Sequence, residues 1–406
     1  MKRIVVFVLL GFWLQSVFAS GGKENKTIGF IQPGFAIGEA LPSNSNWPQT
    51  KLETNFTLSL GKIQVNPAKD WAVFLNYPTT GIMFSFTNIG NNEVFGSAYS
   101  IVPYIAFNTT KKQFNAVHVK VGLGASYFTN HFDANENKYD LAIGSTLTWA
   151  FHTSVYYNFY INKHVDLNLG LVFAHYSNGH TQLPNLGLNS LLLSVSSKLF
   201  FAPVDKSYTE KFQKPPLKYN KQHFLNFRIG FGLHEFGGPV TETGGIKRAV
   251  NIFSIGVGTI YKQALKVRVG LSYRFYQQYF NYIVDYKPEP YVNKPVLNSS
   301  NILVYMGGEL LLGHVGVDGE IGINIFKPFY AEHHKLYEVD PEIIYWLKET
   351  FSTRVGLKYY LINTARHPEN NIFIGAYIDA NFGQADFSEA SIGFVHRFKG
   401  SDVNRN

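Results

Sequence analysis

From about residue 51 to residue 398, apolar side chains alternate with small or polar ones in segments of roughly 10 to 16 residues, each bounded by turn clusters. Successive side chains of a strand point to opposite faces, so every such segment has one apolar and one polar face. Leu225, Phe227, Ile229, Phe231 and Leu233 alternate with Asn226, Arg228, Gly230, Gly232 and His234. Near the end, Ala390, Ile392, Phe394, His396 and Phe398 alternate with Glu389, Ser391, Gly393 and Arg397. A strand needs about 9 to 11 residues to cross the apolar band of a membrane at a tilt, whereas the strands of a soluble sandwich average about five or six. The expected fold is therefore all-β: an antiparallel transmembrane β-barrel of the outer membrane, over residues 51–398. Fifteen segments satisfy the pattern. Single-chain bacterial barrels have even counts, so about 14 strands are expected, with the miscount placed between residues 236 and 300. Only 341–348 reads as a convincing short helix, with Pro341 at its start. No second domain is expected.

The flanks differ in texture. Met1-Lys2-Arg3 is basic, Ile4 to Leu14 is apolar, and Val17 and Ala19 are small, the pattern of a secretory signal peptide over residues 1–19. Residues 20–50 are rich in Gly, Asn, Ser and Pro and read as an irregular N-terminal segment, and 399–406 as a C-terminal tail. No later run of about 18 apolar residues exists, which excludes a helical membrane protein. The absence of cysteine removes disulfides and Cys-based metal sites. Aromatic and charged residues each make up 16% of the chain, against the usual quarter charged, which suits a protein whose solvent is partly lipid. The net charge is +8, and Lys198, Lys206, Lys211, Lys214, Lys218 and Lys221 crowd one linker, favouring anionic partners such as phosphorylated lipid head groups. No nucleic-acid motif is present, and neither a metal nor a cofactor is expected.

The candidate site lies in residues 164–200, read as two strands joined by a short turn. Val165, Leu167, Leu169, Leu171 and Phe173 form the apolar row of the first strand, and His175 and Ser177 continue it. Asn189 continues the apolar row of the next strand, Leu191, Leu193, Val195 and Leu199. A turn centred on Leu183 sets Ser177 opposite Asn189. Three polar side chains then converge on the outside of the barrel, where burying each against lipid costs roughly 2 to 7 kcal/mol and calls for a functional reason. A serine hydroxyl becomes a nucleophile when an imidazole takes its proton and a third group holds the imidazole's tautomer. Backbone N–H groups at Asn178 and Gly179 are candidates to receive the oxyanion.

The run His175-Tyr176-Ser177-Asn178-Gly179, followed by Pro184-Asn185-Leu186-Gly187, resembles the signature of the lipid A 3-O-deacylase (PagL) family. The resemblance implies an outer-membrane esterase of a Gram-negative-type bacterium that removes the ester-linked 3-position acyl chain of lipid A in lipopolysaccharide. Ser177 would be the nucleophile, His175 the base, and Asn178 and Gly179 the oxyanion pocket. The family's glutamate falls on Asn189, which orients an imidazole but cannot neutralise an imidazolium; Glu235 is a weaker substitute. The resemblance is specific over 174–190, and its barrel texture runs from about 81 to 235. The residues alone leave open a phospholipid esterase and a non-catalytic barrel, structural, lipid-binding, or a pore whose row Arg228, Arg268, Arg274, Arg354 and Lys358 passes anions.

Overall fold

The computed structural model describes residues 28–110, 113–205, 221–241, 245–338 and 340–398, and these form sixteen antiparallel strands in two closed barrels. The first barrel contains β1 (Ile28–Leu41), β2 (Glu53–Ile63), β3 (Thr79–Asn88), β4 (Ser97–Asn108), β5 (Ala116–Phe128), β6 (Leu147–Asn162), β7 (Val165–Ser177) and β8 (Leu188–Phe200). The second contains β9 (Gln222–Glu235), β10 (Lys247–Tyr261), β11 (Leu265–Tyr276), β12 (Ser300–Leu312), β13 (Val315–Phe326), β14 (Phe351–Tyr360), β15 (Asn370–Asn381) and β16 (Gln384–Arg397). Strand β8 pairs back onto β1, with Phe200 opposite Phe30, and β16 pairs back onto β9, with Arg397 opposite Phe224. The single barrel of about 14 strands is thus corrected to two of eight.

Each of the fifteen segments expected from residue 51 onward overlaps one of β2 to β16, with ends that differ by a few residues. The sixteenth strand, β1, occupies residues expected to be irregular. Gly29, Pro33, Gly34 and Gly38 hide its alternation, and at Gly38 the neighbouring backbone is so close that a Cβ would overlap the carbonyl of Leu191. The miscount therefore lay at the N-terminus and not between 236 and 300. With β1 in place, the connections 277–299 and 327–350 both follow odd-numbered strands, as does the 178–187 turn, whereas the stretch after β8 leaves from the opposite end. Helix Glu342–Thr350 follows Pro341, and helix Gln277–Tyr286 follows β11 directly. The signal segment 1–19, the tail 399–406 and Lys206, Lys211, Lys214 and Lys218 lie outside the described residues.

Apolar rows face outward. In β7, Leu167, Leu169 and Leu171 are 38%, 48% and 55% exposed, while Asp166 and Asn168 are buried in the lumen. In β9, Ile229 and Phe231 face out while Asn226 and Arg228 face in. An outward apolar band is what lipid solvates. No described helix is long and apolar enough to cross a membrane.

An eight-stranded barrel is just wide enough for side chains to fill it, and in the second barrel the filling is ionic. Arg268 lies 2.8 Å from Asp318 and 2.5 Å from Glu320. Arg354 binds the same two carboxylates, Lys358 lies 2.9 Å from Glu309, Arg274 2.7 Å from Asp379, and Arg228 bonds Glu389. The row considered as an anion path is buried and neutralised, which removes the observation behind the pore reading. Because Glu320 serves both Arg268 and Arg354, Glu320→Gln leaves two buried cations sharing Asp318 and is expected to cost about 3 kcal/mol. A lower urea midpoint of the detergent-solubilised protein checks this; an unchanged midpoint refutes it.

Candidate active site

The turn 178–187 and the ends of β7 and β8 assemble the site. In the observed register His175, not Ser177, lies opposite Asn189, and Ser177 lies opposite Trp149 of β6. The expected pairing of Ser177 with Asn189 is off by two residues. A two-residue slip preserves the face, so both candidates keep the outward row. His175 Nδ1 lies 2.8 Å from Asn189 Oδ1. With that amide oxygen accepting, the ring proton sits on Nδ1 and Nε2 retains its lone pair. Gly187, at φ +77°, backs the ring: a Cβ there would stand 2.8 Å from His175 Cε1.

Ser177 Oγ accepts from Asn185 Nδ2 at 2.9 Å and from the N–H of Gly179 at 3.2 Å. Both acceptor positions of the hydroxyl are thereby used, and its proton remains to be given. No hydrogen bond joins His175 to Ser177 among the described residues. Residues two apart on a strand sit on one face about 6.6 Å apart, and catalytic hydrogen bonds are often long before substrate binds. Of the two expected oxyanion donors, the Gly179 N–H points at Ser177 Oγ. The Asn178 N–H is committed to Asn185 Oδ1 at 3.1 Å, and the Asn178 side chain to Gln182 O and the Thr181 N–H, so its position beside the hydroxyl is taken by the Asn185 amide. Asn185 was visible in the sequence as part of Pro184-Asn185-Leu186-Gly187, but its role depends on how the turn folds back. Glu235 belongs to the second barrel, and its carboxylate accepts the Leu183 N–H at 2.6 Å instead of approaching His175.

The β5–β6 loop supports this turn. The N–H groups of Leu186 and Gly187 donate to the carbonyls of Leu141 and Ala142, and Asp140 holds that loop by accepting from the N–H groups of Ala142 and Ile143. Burial pushes the Asp140 carboxyl up from 3.8 to about 7, against those two bonds, which favour the ionised form. A raised folded-state pKa means stability present in full below about 4 and lost as pH rises through about 7. The unfolding temperature is therefore expected to fall between about pH 4 and 7, and Asp140→Asn to flatten that fall; an unaltered slope counts against Asp140 as its source.

Among the described residues, His334, Glu338 and Asp340 bring metal-ligand-type atoms within 4.8 Å of one another. Lys348 Nζ already lies 3.1 Å from Glu338 and 2.5 Å from Asp340, so an ammonium neutralises these carboxylates.

Residues 60–198, about a third of the chain and running from within β2 to within β8, match the family model described as lipid A 3-O-deacylase (PagL). No curated protein matches the chain. Among solved structures, the chain is similar to the crystal structure of the outer membrane enzyme PagL, at 16% identity over 41% of this chain and 97% of that one, with a TM-score of 0.29. It is also similar to a mutant porin of Rh. blastica, at 10% identity over 92% and 99% of the two chains, with a TM-score of 0.16. A third likeness is to an outer membrane channel from Pseudomonas putida F1, at 8% identity over 94% and 100%, with a TM-score of 0.17.

Proposed function

We propose that this protein is an outer-membrane serine esterase of a Gram-negative-type bacterium that hydrolyses the ester-linked 3-position acyl chain of lipid A. The observation that carries the reading is the His175–Asn189 bond on the lipid-facing row of the first barrel, two residues from Ser177 and within the segment matched by the deacylase family model. The exposed Leu167, Leu169 and Leu171 of the same row offer an acyl chain a path along the outer wall toward Ser177, which is itself buried.

In the proposed reaction, Ser177 Oγ attacks the acyl carbonyl while His175 Nε2 takes the hydroxyl proton. The Gly179 N–H and the Asn185 amide, which bond Ser177 Oγ before the reaction, release it as its lone pair attacks and receive the developing oxyanion. Collapse breaks the ester bond, His175 returns the proton to the departing sugar hydroxyl, and an acyl-serine remains. Water, deprotonated by His175, then cleaves that ester, freeing a fatty acid and restoring Ser177. Asn189 holds the imidazole throughout.

Purified protein incubated with lipid A in detergent is expected to shift the lipid's mass by the loss of one ester-linked acyl chain at the 3-position. Glycerophospholipid run in parallel separates the two substrate classes. Unchanged lipid A sinks the deacylase reading, and cleavage of phospholipid alone replaces it with a phospholipase.

A further inference from the structure

The second barrel, which lies outside the region matched by the deacylase family model, reaches directly into this turn. The Asn185 N–H donates to Pro239 O at 2.7 Å, His180 Nε2–H donates to Gly237 O at 3.1 Å, and the Leu183 N–H donates to Glu235. One of its contacts bears on the reacting atoms through a single peptide unit. Ser388 Oγ, on β16, donates to the carbonyl of Asn178 at 3.0 Å and accepts from the indole N–H of Trp149 at 2.9 Å. An indole nitrogen only donates, so Ser388 must accept there, and its own proton is turned toward Asn178.

The peptide between Asn178 and Gly179 is planar, with its C=O and N–H directed oppositely. Its C=O is the group Ser388 holds, and its N–H is the group that points at Ser177 Oγ. Gly179 sits at φ +67°, where a side chain would collide with Ser388, so the second barrel packs directly on this residue. Thr181 Oγ1 also donates to the Asn178 carbonyl, at 3.1 Å, but from within the same turn, so it moves with the turn. Ser388 ties that carbonyl to a separate barrel.

We infer that Ser388 is a positioning residue for the reaction: from the second barrel it fixes the 178–179 peptide so that the Gly179 N–H stays beside Ser177 Oγ, where the oxyanion forms when that oxygen attacks. This rests on the serine-esterase reading of Ser177. The chain's second barrel thereby forms part of the machinery of the first. A freely turning peptide has to be oriented anew in each turnover, which weakens transition-state stabilisation without altering the surface that binds the acyl chain.

The test is steady-state hydrolysis of lipid A by the full-length protein. Ser388→Ala is expected to lower kcat about tenfold, less than the roughly hundredfold or greater loss when a whole oxyanion donor is removed, with KM unchanged. Ser388→Thr, which keeps the hydroxyl, is expected to restore most of the rate. Trp149→Phe removes the donor that orients Ser388, and a kcat loss of a few-fold is expected there too; it carries the test alone if Ser388→Ala fails to fold. Wild-type kcat in Ser388→Ala, a loss confined to KM, or no recovery with Ser388→Thr overturns the inference while leaving the esterase reading intact. Should Ser388→Ala not fold, wild-type kcat in Trp149→Phe does the same. A wild-type protein that releases no fatty acid overturns both.

Discussion

Ser177→Ala is expected to abolish release of fatty acid from lipid A while leaving both barrels closed. The hydroxyl takes no part in strand pairing; it accepts from Asn185 Nδ2 and the Gly179 N–H at the exit of β7. Losing two such bonds costs about 1 kcal/mol each, small beside the pairing of eight strands. The chemistry loses far more, because the covalent route disappears with the nucleophile. In a comparable serine hydrolase, removing the serine costs about 10⁶ in kcat, and what remains comes from the oxyanion donors and binding alone. Mass spectrometry of the lipid reads the activity, and the heat-dependent gel mobility of folded barrels reads the structure. Undiminished release by a folded variant would remove Ser177 from the mechanism.

Asn189→Glu is expected to raise kcat. Asn189 now gives His175 Nδ1 an acceptor at 2.8 Å but no negative charge. As Ser177 gives up its proton the imidazole becomes cationic, and a carboxylate opposite it stabilises that charge where an amide offers only a dipole. The reverse change, Asp to Asn in a serine-protease triad, lowers kcat by about 10⁴, largely by selecting the wrong tautomer. Here the amide oxygen already accepts from Nδ1, so the tautomer term is absent. The gain expected is smaller, about 10- to 100-fold, the charge term alone. The cross-strand position is suitable, since His175 and Asn189 face each other in register on the outward row. A variant that folds with unchanged kcat would mean that Asn189 is not the group supporting His175.

Much of the architecture can be read residue by residue. Period-two alternation assigns each of β2 to β16 and says which of its faces meets lipid, because the strand geometry that produces the period is local. The same reasoning carries His175, Ser177 and Asn189 to the outer wall without knowing their register: a slip of two residues, such as separates the expected Ser177–Asn189 pairing from the observed His175–Asn189 one, leaves every side chain on its face. β1 escapes because four glycine and proline positions erase the alternation while backbone pairing with β2 and β8 holds the strand in place.

How many barrels the strands make is a different kind of question. Alternation distinguishes inside from outside but carries no information about which strand closes on which, so one wall and two walls have the same pattern. Closure is a long-range pairing, Phe30 with Phe200 and Phe224 with Arg397, and in the second barrel it accompanies a lumen filled by ion pairs such as Arg268 with Asp318 and Glu320. The site divides along the same line. His175-Tyr176-Ser177 and its lipid-facing row are legible in thirteen residues of one strand. The Asn185 amide beside Ser177 Oγ, and Ser388 holding the Asn178 carbonyl across 210 positions, exist only once a turn has folded back and a second barrel has packed against it, because hydrogen bonds select partners by distance in space and not along the chain.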